Sequence, residues 1–150
     1  MKKAMIHLED VKYQSSAYWE MLALRNKVLR EPLGLIFSEE DLQNEKDDVF
    51  CLCRVNDRII ACCVLSLKEN GIIHLRQMAV DEEFQGKGFG STILQFAEQC
   101  VKELCYKTIT LHARRIAVGF YAKHGYEIEG DEFIEIGLPH VTMNKIMIDD

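Results

Sequence analysis

The stretch "FQGKGFG", Phe84 to Gly90, places three of the chain's nine glycines at alternate positions within seven residues. Glycine costs backbone entropy, so such a cluster marks backbone conformations or close approaches that a side chain would block. An apolar run, "GIIHLRQMAV" (71–80), precedes it. A segment with apolar residues at helical spacing, "STILQFAEQCVKEL" (91–104), follows. A strand that turns on glycines into a helix leaves several N–H groups without intrahelical partners, at the positive end of the helix dipole. A phosphate or pyrophosphate fits such a nest, and Lys87 adds charge. The spacing is G-x-G-x-G, so neither the P-loop pattern nor the dinucleotide fingerprint G-x-G-x-x-G is present. A plain tight turn is the competing reading.

Working outward, "MIHLEDVKY" (5–13) reads as a first strand. "SAYWEMLALRNKVLR" (16–30) has helical spacing with Tyr18, Leu22, Arg25 and Leu29 near one face, Ser16 as N-cap and Pro32 as the stop. Ser38 caps a short acidic helix, "SEEDLQNE". "DVFCLCRV" and "RIIACCVLSL" are strands joined as a hairpin, and residues 71–80 supply the next strand. After the glycine turn a helix is expected over roughly 88–104. "KTITLHA" (107–113) is a strand with Ile109, Leu111 and Ala113 on one side. "RIAVGFYAKH" is a short helix with Gly125 at its C′ position, and "YEIEGDEFIEIG" and "HVTMNKIMI" are the last two strands. The order predicts one α+β (mixed α/β) domain over residues 1–150, mostly hairpins, with a single strand–helix–strand passage near 72–113.

Bulk properties narrow the function. A chain of 150 residues can bury a core without disulfides or metal. A formal net charge of −6 argues against a nucleic-acid partner and mildly favours a cationic or neutral small ligand. No apolar run approaches the roughly 20 residues of a membrane span. The N-terminus meets His7, Glu9 and Asp10 too early for a signal peptide, so a cytoplasmic location is expected. Cys51, Cys53, Cys62, Cys63, Cys100 and Cys105 form no C-x-x-C or C-x-x-H pair, which points to small buried apolar residues and no metal.

"QGKGFG" also matches the Q/R-x-x-G-x-G/A signature of the GNAT acetyltransferase superfamily, in its expected place after "LRQMAV" and opening a helix. "LHARRIAVGFYAKHGYE" (111–127) resembles that family's second conserved region, with A-x-x-F-Y before G-Y. "EFIEIGLPHVTM" is similar to the F-x-E-x-G-I-P-H-x-x-M ending of a small bacterial subgroup. "RNKVLREPLGL" (25–35) resembles that subgroup's first helix end and loop. The resemblance implies a mostly antiparallel mixed sheet of six to seven strands with about four helices.

It further implies an N-acetyltransferase that moves an acetyl group from acetyl-CoA to an amine of a small molecule or peptide by direct attack. By position, Met78, Ala79 and Val80 would face the pantetheine arm beside a bulge. Gln85, Gly86, Lys87, Gly88, Phe89, Gly90 and Ser91 would hold the pyrophosphate, with Arg115 or Lys123 as further phosphate or pantetheine contacts. Tyr121 matches the family's general acid. His74, Glu132, Glu135 and His140 are candidate bases. Arg25, on the inner helical face, is expected to orient a substrate carboxylate or to pair with a glutamate such as Glu135. Homodimers are common in the family and are one expectation for this chain. Two other classes compete: a CoA-binding sensor module without turnover, and a nucleotide-dependent transferase using Asp81, Glu82 and Glu83.

Overall fold

In the computed structural model, which describes residues 5–147, seven strands form one sheet. They are β1 (Ile6–Val11), β2 (Val49–Val55), β3 (Arg58–Leu67), β4 (Ile72–Val80), β5 (Thr108–Arg114), β6 (Glu127–Glu135) and β7 (Leu138–Ile146). The order across the sheet is β1-β2-β3-β4-β5-β7-β6. Every neighbouring pair is antiparallel except β4 and β5, which run parallel because the long helix α3 (Phe89–Glu103) carries the chain between them. The mixed sheet with one strand–helix–strand passage is therefore as the sequence predicts. Lys2 and Lys3 at the N-terminus and Ile148 of the last expected strand lie outside the described residues.

Helices cover both faces. Helix α3 and the short α4 (Val118–Lys123) pack on one face with Cys51, Cys53, Ile60, Cys63, Ile73, Leu75, Ile109 and Leu111. Helix α1 (Ser16–Arg25) packs on the other with Phe50, Leu52, Cys62, Val64 and Ala79. Strand β3 is buried from both sides, which explains its nearly unbroken apolar run. Four of the six cysteines are core residues; Cys100 is half-buried and Cys105 exposed.

Three local expectations change. Ser15 rather than Ser16 caps α1. Ser15 has extended backbone and its Oγ accepts from the Tyr18 N–H at 3.2 Å, whereas Ser16 is already helical. Helix α1 ends at Arg25, not at Pro32: a π-helical turn, Asn26–Arg30, and a 3₁₀ turn containing Pro32 follow. The wide turn is braced by Asn26, whose Oδ1 accepts from the Phe37 N–H at 2.9 Å. The buried stripe of α1 is Tyr18, Met21, Leu24 and Arg25, with Leu22 and Leu29 only half-buried. Ser38 does cap the second helix, α2 (Glu39–Gln43), in a reciprocal box with Asp41.

Candidate active site

Two irregularities in the sheet make a cleft. The first is a bulge in β4. Ala79 pairs with Cys62 and Arg76 with Val64, so two residues, Gln77 and Met78, stand opposite Cys63. Gln77 takes φ +56°, which is uncommon for a side chain of its size. The extra residue reverses the side-chain alternation: Ile73 and Leu75 enter the α3-side core, while Ala79, of the same parity, enters the α1-side core. The second is divergence. The β4–β5 pairing stops at Leu75–Leu111, while β5 continues to Arg114 against β7. Residues 76–80 and 112–114 therefore frame a wedge, the mouth of a cleft of about 720 Å³.

The glycine turn closes one end of this cleft. Gly86 and Gly88 have φ +75° and +88°, the left-handed region that favours glycine. An added Cβ at either meets nothing within 4 Å, so backbone conformation and an open approach, not crowding, select glycine there. Gly90 differs: its φ is ordinary, and an added Cβ would lie 3.4 Å from the Phe120 ring, in van der Waals contact with α4. Helix α3 makes its first bond from the Thr92 N–H to the Gly88 carbonyl at 3.1 Å, which leaves the preceding N–H groups of its first turn directed outward. The Gln85 amide donates to the Val80 carbonyl at 2.9 Å and ties the turn to β4. Ser91 Oγ and His124 Nε2 are hydrogen-bonded at 2.8 Å.

Tyr121 projects from α4 into the cleft between the strands. Its ring is in the core and makes an edge contact with Tyr126 at 5.7 Å. Among the described residues its hydroxyl has no hydrogen-bond partner, whereas the Tyr126 hydroxyl donates to Glu98 at 2.8 Å. Burial pushes the Tyr121 phenol well above its ordinary value, with a small addition from Cys63, so it stays protonated at neutral pH.

Across the cleft, the exposed-side alternation of β4, β5 and β7 assembles three imidazoles. His74 and His112 meet edge to face at 4.7 Å. His112 Nδ1 is 3.2 Å from Glu135 Oε1, and His140 Nε2 is 3.7 Å from Glu135 Oε2. His140 Nδ1 lies 2.8 Å from the Leu138 carbonyl, which can only accept, so Nδ1 carries the proton and Nε2 of the neutral ring keeps its lone pair. Burial lowers His74 to about 4, helped by His112 and Arg76, and holds it neutral. Among the described residues no three histidine, cysteine or carboxylate side chains converge as metal ligands.

The structure brings Met78, Ala79, Val80, Gln85, Gly90, Tyr121, His74, Glu135 and His140 to one cleft, with Gly86, Lys87, Gly88, Phe89 and Ser91 in the turn at its end. It does not bring Arg25 or Arg115 there. Arg25 is fully buried on the α1 side and forms a two-pronged bond with Glu45, at 2.9 and 2.8 Å, rather than with Glu135. A side chain sealed in this way cannot meet a substrate. Arg115 begins the turn after β5 and pairs with Glu132 on the surface, which removes Glu132 from the cleft as well. Lys123 is exposed on α4. Asp81 is engaged by Arg58 at 2.9 Å and Lys27 at 3.5 Å, and Glu83 by Arg58 at 3.1 Å, so among the described residues two of the three carboxylates Asp81, Glu82 and Glu83 are held in ion pairs.

The cleft also holds residues that sequence reasoning passed over: Arg30, Arg76, His112 and Arg114. The signal was present in "TITLHAR", where His112 and Arg114 alternate with Leu111 and Ala113.

The sheet is thus split beside a β-bulge, with a glycine turn opening a helix at the split. A model of the acetyltransferase (GNAT) domain family matches residues 31–147, and the chain belongs to that family. Its sequence is 37% identical to YyaT of Bacillus subtilis (strain 168) over 71 residues, 47% of this chain and 48% of YyaT. The chain thus spans about half the length of the relatives it matches in sequence. In fold it superposes on a Lactobacillus plantarum protein with TM-score 0.86 at 20% identity, covering 95% of this chain and 99% of that one. It superposes on a GNAT family acetyltransferase from Elizabethkingia anophelis, solved with acetyl-CoA bound, with TM-score 0.72 at 19% identity, covering 94% and 97%. Among the described residues no helix is long and apolar enough to cross a membrane.

Proposed function

We propose that the chain transfers an acetyl group from acetyl-CoA to a primary amine of a small molecule or peptide, without a covalent enzyme intermediate. The observation that carries this reading is the wedge between β4 and β5, which has outward N–H groups at one end and an unpartnered phenol inside. The Gly86–Ser91 turn suits a pyrophosphate: two glycines at positive φ, open space above them and the amides of a helix start. Met78, Ala79 and Val80 offer backbone along the bulged strand to an extended amide-bearing arm. When bound, acetyl-CoA supplies a thioester carbonyl open to an amine and a thiolate that can leave.

The chain's own groups then divide the work. The backbone N–H at the bulge, by Met78, is the donor for oxyanion charge, since a bulge frees a ladder group to face a ligand. Tyr121 donates a hydrogen bond to the departing sulfur. The burial that raises the phenol also raises a thiolate beside it, so donation remains matched. The His140–Glu135 pair is the group that accepts the amine proton, directly or through water, while His74, lowered to about 4, is too weak a base for that step and lines the cleft as a neutral ring. None of the reacting groups needs a further cofactor.

The test is mass spectrometry of an amine library incubated with acetyl-CoA. Acetylated product that falls about a hundredfold in rate in Tyr121→Phe, while acetyl-CoA binding persists, supports the reading. Product formed equally well by that variant removes Tyr121 from the mechanism. Tight acetyl-CoA binding with no product from any amine, peptide or protein acceptor would leave a binding module.

A further inference from the structure

The cleft carries positive charge that the glycine turn does not account for. Arg30 follows α1, Arg76 lies on β4 and Arg114 ends β5, and all three line the cleft. Among the described residues, arginine ion pairs are made by Arg25, Arg54, Arg58, Arg76 and Arg115, and none by Arg30 or Arg114. Arg76 is only loosely matched: its Nη1 is 3.9 Å from Asp48 and 3.4 Å from Ser66 Oγ. Glu135 is the single carboxylate among the lining residues, and both its oxygens face imidazoles. Within the lining three guanidiniums thus outnumber one engaged carboxylate in a chain whose net charge is −6, while Asp41 acts on Arg30 and Asp48 on Arg76 from outside it. The whole-chain charge, which favours a cationic or neutral ligand, is reversed locally.

The Arg30 guanidinium is also held in place. Arg30 stacks 4.3 Å above the Phe37 ring, whose position is shared by the buried Arg25 at 4.6 Å. Burial pulls Arg30 below its ordinary value, and Arg114, Arg25 and Arg76 add to this while Asp41 opposes it. Arg114 is the strand partner of His140, which sets it beside the histidine cluster. The pyrophosphate nest lies elsewhere: Arg76 to Val80 alone spans roughly 13 Å of strand before the turn begins. Arg114, half-buried and without an ion pair among the described residues, is costly to leave uncompensated, and a planar anion is its natural complement.

We infer that the acceptor is a small amine that also carries an anionic group, a carboxylate or a phosphate, gripped by Arg30, Arg76 and Arg114 on the histidine side of the cleft. This rests on the acetyl-transfer reading above.

Two experiments test it. In the first, backbone amide shifts are followed by NMR as the protein is titrated with N-acetylglycine or its neutral analogue N-acetylglycinamide. The expected result is movement at Arg76 and Arg114 with the carboxylate only, lost in Arg114→Gln. Equal movement with both compounds, or none with either N-acetylglycine or N-acetylglucosamine 6-phosphate, overturns the proposal. In the second, acetylation is compared within pairs: protein amino acids against their carboxamides, and glucosamine 6-phosphate against glucosamine, with spermidine as the cationic case. One anionic member should exceed its neutral partner at least about tenfold in kcat/KM, the worth of one charge-assisted hydrogen bond. Which pair responds separates carboxylate from phosphate. Arg30→Gln and Arg114→Gln should erase the preference through KM, with acetyl-CoA binding kept. Preference for spermidine or for neutral partners refutes the inference. Absence of acetyl-CoA binding would instead sink the acetyl-transfer reading, and the shift titration would still decide the anion site.

Discussion

Glu45→Gln strands a buried guanidinium. Arg25 and Glu45 are 0% and 1% exposed, joined by two hydrogen bonds at 2.9 and 2.8 Å, and the Tyr18 hydroxyl donates to the same carboxylate at 2.5 Å. Arg25 Nε already lacks a partner. Removing one member of a buried pair costs about 3–5 kcal/mol, because the other charge is left in low dielectric. Glutamine keeps one carbonyl acceptor, and the Phe37 ring remains against the guanidinium, so the lower end, about 3 kcal/mol, is expected. For a domain of this size that is a fall in Tm of roughly 6–12 °C. The effect should reach the cleft, because Phe37 is also the platform for Arg30. Urea and thermal unfolding provide the assay, with Arg25→Met/Glu45→Leu as the control. The double variant should recover part of the loss, since replacing both charges removes the uncompensated one, while the buried Tyr18 hydroxyl still loses its acceptor. A drop below about 1 kcal/mol in Glu45→Gln, or a double variant no better than the single, would refute the reasoning.

Three further outcomes are expected. Gly88→Ala should cost about 1–2 kcal/mol from its φ of +88°, since no atom within 4 Å resists the methyl, and weaken acetyl-CoA binding; calorimetry against Gly119→Ala, where an added methyl also meets no atom within 4 Å, checks this. His74, held near 4 in the folded state against an ordinary 6.5, favours folding above pH 6.5, and that contribution is lost as pH falls toward 4. The stability gap between wild type and His74→Asn should therefore change between pH 7 and 4.5, and parallel stability curves would show that the ring is not buried as described. Tyr121→Phe should leave Tm within about 1 °C, because its hydroxyl makes no protein hydrogen bond among the described residues; a larger loss would mean the phenol is structural.

The glycine stretch and the strands around it were legible because each depends on local chemistry. Gly86 and Gly88 sit at positive φ, and "RIIACCVLSL" is apolar throughout because the sheet is covered on both faces. Tyr121 was legible through its A-x-x-F-Y setting, and Glu135 and His140 through the "EFIEIGLPH" turn. What was not legible depends on partners far along the chain. Arg25, on an inner helical face, predicts an anionic partner, a substrate carboxylate or a glutamate such as Glu135, and nothing local points to the actual one, Glu45, which lies 20 residues on, past α2. Arg115 was chosen over Arg114 because motif position ignores strand parity, and parity ends where β5 gives way to a 3₁₀ turn. Arg76 shares a face with His74 by simple alternation; what the bulge at Gln77 and Met78 hides from the sequence is the face of the residues after it, Ala79 above all. Ser15 and Ser16 are equivalent caps by composition, and backbone geometry alone separates them.

The measurement that bears most directly on the central claim is a calorimetric titration of the folded protein with acetyl-CoA, with ATP and Mg²⁺ as the control ligand. The account predicts saturable binding of acetyl-CoA, none of the nucleotide, and loss of that binding in Gly88→Val with the fold retained. No heat of binding up to millimolar acetyl-CoA, from a sample that unfolds cooperatively, would contradict it.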